Sequence, residues 1–119
     1  MQIQVHTDHL IEGGESLAQW VQGELQTRLS RFKEHTTRVE VFLSDTDARK
    51  TQGGLKRCVL ETRISGRQPI AVNAEAEKIA DAVTAATEKL IRAVETDLGR
   101  LKDKNGRETI RTQEPLDEE

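Results

Sequence analysis

The order in which strand-like and helix-like segments follow one another constrains the fold of this chain more than any other feature. Residues Met1 to Asp8 alternate polar and apolar side chains, which is the period of a strand with one buried face. A helical period follows, then three further alternating segments, and then a second, longer helical period. The sequence therefore predicts the order β-α-β-β-β-α, which few topologies accommodate.

The first helical segment follows the Glu-Gly-Gly-Glu turn at residues 12–15. Its apolar residues recur at steps of three and four, so we expect them to form one stripe that faces the core. The members of this stripe are Leu17, Trp20, Val21, Leu25, Leu29 and Phe32. Ser16 or Gly14 is expected to cap the start of the helix.

Three strands are predicted between the helices, over Arg38–Ser44, Leu55–Ser65 and Ile70–Ala74. A polar loop at 45–54 and a turn at 66–69 separate them. Because a helix joins the first two strands, we expect these to be parallel, and the three later strands to be antiparallel to one another. The positions predicted to face the core are Val39, Val41, Leu43, Cys58, Leu60, Thr62, Ile64, Ile70, Val72 and Ala74. Those predicted to face solvent include Gln2, Gln4, Glu40, Phe42, Arg57, Val59, Glu61, Arg63 and Asn73.

The second helix is predicted to begin near Ala76 and to end at Lys102–Gly106, where Asn and Gly favour a C-terminal cap. Its apolar stripe consists of Ile79, Val83, Ala86, Leu90, Val94 and Leu101. The fold class predicted is α+β, with both helices on one face of a four-stranded mixed sheet. Residues 1–104 form the predicted domain, and residues 105–119 are expected to be a disordered polar tail.

The net charge of −3 does not suggest a nucleic-acid partner, because phosphate-binding domains are usually basic. The charge is nevertheless uneven along the chain. The segment from Arg107 to Glu119 holds two basic and five acidic residues, whereas the first 106 residues hold 16 of each sign. Clusters of cations in a balanced body could still bind phosphate, although without a strong long-range field.

Several other functions are disfavoured by the sequence. There is no leader-like segment and no apolar run of about 20 residues, so we expect a cytoplasmic protein that does not bind membranes. Cys58 lies in an apolar strand and is expected to be a buried hydrophobe. We predict no enzyme activity, because no nucleophile elbow or phosphate loop is present. We predict no cofactor and no metal site, since His6, His9 and His35 lack further ligands and Asp45 and Asp47 are typical of a turn.

The segments and several short motifs resemble the family of the ribosome hibernation promoting factor and ribosome-associated inhibitor A. The likeness covers residues 1 to about 104. Its carriers are Met1-Gln-Ile3, Arg28-Leu-Ser-Arg-Phe32, Val39-Glu-Val-Phe-Leu-Ser44, Ala82-Val83 and Lys89-Leu-Ile-Arg92. This chain is similar to a short, divergent member of that family.

The resemblance implies a fold like that of double-stranded RNA-binding domains. It also implies a stress-response factor that binds ribosomal RNA of the small subunit, blocks the messenger and transfer RNA channel and so promotes ribosome hibernation. Carried over by residue, the likeness assigns RNA phosphate contacts to Arg28 and Arg31 on the first helix and to Lys89 and Arg92 on the second.

Within each of these two pairs the residues lie three apart, so both helices would present a small cationic ridge. If the helices lie side by side, the ridges could face the phosphates that flank a groove, where shape counts for more than sequence. An ordinary alternative is that the cations are solvated and pair with Glu24, Glu88 and Glu95. The alternative function is a protein-interaction domain that keeps the fold without binding ribosomes.

Overall fold

The computed structural model of this protein has the predicted order of elements. It describes residues 1–8, 11, 14–45, 55–64 and 66–112, with side chains described as far as Gly99 in the last segment. The elements are β1 (Gln2–Thr7), α1 (Gly14–Arg28), a 3₁₀ turn (Ser30–Phe32), β2 (Thr36–Asp45), β3 (Lys56–Ile64), β4 (Pro69–Ala76) and α2 (Ile79–Thr112). The prediction of an α+β fold is confirmed.

The four strands form one mixed sheet in the order β1-β2-β3-β4. β1 pairs with β2 in parallel, with Ile3 opposite Val39. β2, β3 and β4 form an antiparallel meander, with Val41 opposite Leu60 and Leu60 opposite Val72. Both predicted pairing directions are therefore confirmed. Residues 46–54 of the predicted loop lie outside the described residues.

The core lies between one face of the sheet and the two helices. Every residue predicted to point inward from β2 and β3 is buried. α1 packs on β1, and α2 packs on β3 and β4, so the helices cover opposite halves of the same face. The fully buried residues of α2 include Val83, Leu90 and Val94, as its periodicity predicts.

The predicted stripe of the first helix is wrong at Trp20, which is 41% exposed. Successive helical residues are separated by about 100° around the axis, so Trp20 lies on the flank of the helix when Val21 points at the sheet. The α-helix also ends at Arg28, earlier than the stripe implies. Leu29 and Phe32 are still buried because the 3₁₀ turn carries them into the core.

The predicted end of the second helix is wrong as well, because α2 continues from Lys102–Gly106 to Thr112. One internal glycine costs a helix only about 1 kcal/mol, and the charged residues around Gly106 are good helix formers. The prediction also began the helix too early, since β4 includes Ala76. The division at residue 104 and the disordered tail stay predictions, and residues 113–119 lie outside the described residues.

Side chains from the helices reach both outer strands of the sheet. On β1, Gln22 Nε2 donates to the carbonyl oxygen of Ile3 at 3.2 Å. On β4, Lys89 Nζ donates to the carbonyl oxygen of Asn73 at 2.9 Å. Each helix therefore satisfies a backbone acceptor of the strand at its own edge of the sheet.

Cys58 is completely buried on β3, as predicted. Burial raises the pKa of its thiol to about 12, because an apolar environment disfavours the thiolate. In the part of the chain that the structure describes, neither helix has an apolar stretch that could cross a membrane.

Candidate nucleic-acid interface

Arg28 and Arg31 lie at the junction between α1 and β2. Arg28 is the last residue of α1, and its Nη1 is 3.8 Å from Glu24 Oε2 one helical turn earlier. Arg31 belongs to the 3₁₀ turn, where its guanidinium lies 4.8 Å from the centre of the Phe32 ring. The Arg31 side chain also forms an ion pair with Glu95 on α2. Arg31 thus links the 3₁₀ turn that follows α1 to α2.

Lys89 and Arg92 are neighbours on α2 whose side chains have different environments. Lys89 reaches Asn73 on β4, the edge strand farthest from β1, where α1 packs. Arg92 is exposed and has no hydrogen bond or ion pair with any other described residue. It precedes Glu95 by three residues, so the two are neighbours on the helix surface.

The structure brings together only part of the predicted site. Arg31 and Arg92 lie on either side of Glu95 and can contact one ligand. Arg28 is nearby, at the end of α1. Lys89 lies one turn before Arg92, and its side chain reaches the outer edge of β4. The ridge of Lys89 and Arg92 stays a prediction.

The ion pairs of these arginines are weak enough to exchange for a phosphate. Side chains of the Arg31–Glu95 pair are 60% and 46% exposed, and those of the Arg28–Glu24 pair about one third exposed. Exposed ion pairs contribute about 1 kcal/mol or less to stability, since water and salt screen them. A polyanion that offers several phosphates at once can compete with such pairs.

The fold also sorts the charged residues towards the two ends of the sheet. At one end, α1 ends, β2 and β4 begin and β3 ends, while α2 passes at residues 95–97. We call this the basic end, because the described residues there include six basic and five acidic side chains. The basic side chains are Arg28, Arg31, Lys33, Arg38, Arg63 and Arg67, and the acidic ones are Glu24, Glu34, Glu40, Glu95 and Asp97.

The other end of the sheet, which we call the acidic end, has the reverse balance. Its described charges include Asp8, Asp45, Glu15, Glu75, Glu77 and Asp81 against Lys56, Arg57 and Lys78. Among the described residues, the two ends of the sheet therefore differ in their balance of charge. A balanced sum over the sequence hides this separation, which creates a local field at the basic end.

Four cations of the basic end were not predicted as site residues: Lys33, Arg38, Arg63 and Arg67. The sequence placed Arg63 on a solvated face, and the other three carried no signal of their own. The predicted topology contained the missing information, because it puts the starts of β2 and β4 beside the end of β3. Mapping charges onto that topology would have found the basic end.

Arg67 fixes the β3–β4 turn to α2. Its Nε donates to Asp97 Oδ2 at 3.0 Å and its Nη2 to Asp97 Oδ1 at 3.1 Å, a bidentate pair. The hydrogen bond and the charge of Asp97 raise the pKa of Arg67 above its ordinary value. Because both carboxylate oxygens are used, Arg67 positions the turn, and the other cations are better placed to contact a ligand.

His6, a residue of β1, contacts side chains of the neighbouring strand β2. His6 stacks on Phe42 with ring centres 4.9 Å apart, and its Nε2 lies 3.1 Å from Glu40 Oε1. Among the described residues, no group of three His, Cys, Asp or Glu side chains is placed to hold a metal ion. His9 and Asp47 lie outside the described residues.

Comparison with known proteins gives a family match over most of the chain. Residues 3–105 match the family model described as Sigma 54 modulation protein / S30EA ribosomal protein. The search of curated proteins found no match by sequence.

Two solved structures resemble the fold. The ribosomal subunit interface protein from Coxiella burnetii has 16% sequence identity and a TM-score of 0.59, and the match covers 86% of this chain and 98% of that one. The Protein Y N-terminal domain from Thermus thermophilus has 16% identity and a TM-score of 0.56, with 79% and 96% covered. At this identity the likeness supports the fold, and the match spans nearly the whole of both relatives.

Proposed function

Because this chain belongs to the Sigma 54 modulation protein / S30EA ribosomal protein family, we propose that it is a ribosome-binding hibernation factor. Its partner in this proposal is the small ribosomal subunit of cytoplasmic ribosomes, bound through ribosomal RNA. The names of the two structural relatives, a ribosomal subunit interface protein and Protein Y, support the same assignment.

The observation that carries the proposal is the basic end of the sheet. Arg28, Arg31 and Arg92 are gathered there or beside it, although the whole chain is acidic. Phosphate contacts depend on the local arrangement of cations more than on total charge, and RNA helices are recognised mainly by shape and backbone. We keep Lys89 as an RNA-contact candidate of lower rank, because its ammonium already binds a backbone carbonyl.

The proposed mechanism is exclusion and needs no catalysis. A domain that occupies the messenger and transfer RNA channel prevents initiation simply by being there. Such a factor must bind tightly but must also be released when growth resumes. Phosphate contacts suit this requirement, because their strength falls steeply as salt rises.

Ribosome co-sedimentation tests the proposal. The chain should travel with the small subunit at low salt, and four phosphate contacts would weaken its binding about 10²-fold between about 50 and about 200 mM salt. Arg92→Gln should reduce the bound fraction. Lys78→Gln is the matched control, since it removes one exposed positive charge near the start of α2 at the acidic end.

The alternative, a protein-interaction domain without RNA contacts, makes a different prediction. Binding to a protein through apolar contacts should change little with salt. Failure of the chain to sediment with ribosomes, or equal effects of Arg92→Gln and Lys78→Gln, would contradict the proposed function.

A further inference from the structure

The open face of the sheet carries charge in rows that run across the strands. Arg38 on β2 is directly opposite Arg63 on β3, and two residues along the strands Glu40 is directly opposite Glu61. Directly opposed like charges destabilise a sheet. Strand β4 offers no opposite charge to either row, because Arg63 is opposite Pro69 and Glu61 is opposite Ala71.

Arg38 is held in a defined position. Its Nη2 donates to Gln4 Oε1 at 2.9 Å and is 2.8 Å from Glu40 Oε2. The register of β2 shifts between Thr36 and Arg38, and Thr62 Oγ1 donates to the Arg38 carbonyl oxygen at 2.8 Å. Such a bulge re-aims the side chain that follows it. The Arg38 side chain is nevertheless 51% exposed.

Two charged residues of β3, Glu61 and Arg63, have no such partners. Arg63 and Glu61 are both exposed, and neither forms a hydrogen bond or ion pair with another residue in the described ranges. Glu40 is already engaged elsewhere, because its Oε1 lies 3.1 Å from His6 Nε2 and its Oε2 lies 2.8 Å from Arg38 Nη2. The Glu61 carboxylate and the Arg63 guanidinium are therefore both available to a ligand on the same strand.

These residues surround one cavity. A depression of about 420 Å³ on the open face is lined by Arg38, Glu40, Glu61, Thr62, Arg63 and Pro69. It lies on the side of the sheet away from the helices. The two arginines lie on the side of the cavity towards the basic end and the two glutamates on the other side, so an anion is favoured beside the arginines.

We infer that this cavity binds one nucleotide of single-stranded RNA. Arg38 and Arg63 take its phosphate between them, which offsets their mutual repulsion, since guanidinium groups match phosphate oxygens in pairs. Glu61 lies two residues, about 6.6 Å, further along β3 and accepts a hydrogen bond from the ribose 2′-hydroxyl. A second phosphate at that position would be repelled by the two glutamates.

This inference deepens the proposed function, on which its biological role rests. It adds a second RNA contact surface on the face of the sheet opposite the helices. A single strand that leaves an RNA helix bound near Arg31 could pass around the basic end to reach it.

Binding of the full-length chain to labelled hexauridylate tests the inference separately from the ribosome. Anisotropy titrations should show tighter binding to the RNA than to the DNA oligonucleotide of the same sequence by up to about tenfold, because the DNA lacks the 2′-hydroxyl. Arg63→Gln should weaken binding to both about three- to tenfold and reduce the salt slope by about 0.7. Glu61→Ala should remove the preference for RNA.

Lys78→Gln again serves as the control with the same change in charge, and thermal unfolding checks that each variant is folded. Backbone NMR shifts on adding hexauridylate should map to residues 38–40 and 61–63. No binding of hexauridylate, equal binding of RNA and DNA, equal losses in Arg63→Gln and Lys78→Gln, or shifts confined to α1 and α2 would each overturn the inference. Ribosome binding with no oligonucleotide binding would leave the proposed function intact, and the reverse result would leave only the cavity site.

Discussion

Glu95 restrains the cation that we place at the centre of the ribosome contact. The ion pair between Glu95 and Arg31 satisfies the guanidinium within the protein, and Glu95 also lies three residues from Arg92. Replacing Glu95 with Gln keeps the size of the side chain and removes its charge. We therefore expect Glu95→Gln to tighten ribosome binding, although the change removes an interaction of the folded protein.

The size of the effect follows from charge separation. A phosphate that contacts the far side of the Arg31 guanidinium would be roughly 6.5 Å from the Glu95 carboxylate, where two unit charges repel by about 0.6 kcal/mol in water and about 2.5 kcal/mol at an effective dielectric constant of 20. Both side chains are about half exposed, so the lower value applies. We expect an increase in affinity of about threefold at low salt.

Competition between labelled wild-type chain and each variant for purified small subunits measures this change. The gain should shrink as salt rises, because salt screens exposed charges. Glu77→Gln is the control, since it removes an exposed carboxylate at the acidic end. If Glu95→Gln binds no better than wild type while Arg31→Ala binds worse, Glu95 does not compete with RNA. If both variants bind like wild type, Arg31 is not in the contact.

Three further predictions concern the fold. Leu90→Ala should lower the free energy of unfolding in urea by about 2–5 kcal/mol, because it leaves a cavity under α2 where the side chain is fully buried. Cys58 should resist a thiol reagent at pH 8 until urea is added, and raising the pH from 9 towards 12 should destabilise the fold, since only the unfolded thiol loses its proton in that range. Cys58→Ala should abolish this loss. Arg67→Ala and Asp97→Asn should each lower the urea midpoint, and the double variant should be no worse than the more damaging single one, because both break the same pair.

The order and pairing of the elements could be predicted from the sequence more fully than the buried faces and ends of the helices. Alternation placed Cys58 and Leu60 correctly, because a period of two leaves no choice of face once one residue is buried. The buried face of a helix was harder to predict, since a turn of 100° per residue leaves residues on its flank, such as Trp20, only partly buried. The end of α2 was missed because local signals near Gly106 are weak compared with continued helical hydrogen bonding.

The candidate site was harder to predict than the fold. Helical spacing correctly made Arg92 exposed but could not show that Lys89 turns to the edge of β4. The pairing of Arg31 with Glu95 joins residues far apart in sequence, so no local pattern reports it. Arg38 and Arg63 are opposite each other only in the register that β2 and β3 adopt beside the bulge. Alternation of polar and apolar residues does not determine that register.

The hydrogen bonds from Gln22 and Lys89 to the outer strands affect how the domain tolerates crowding. A strand from another molecule that approached β1 or β4 would meet a carbonyl already in use and would first have to displace a helix side chain. Each outer strand is thus blocked at one position against pairing with a further strand. Truncating Lys89 would free the carbonyl oxygen of Asn73 at the edge of β4.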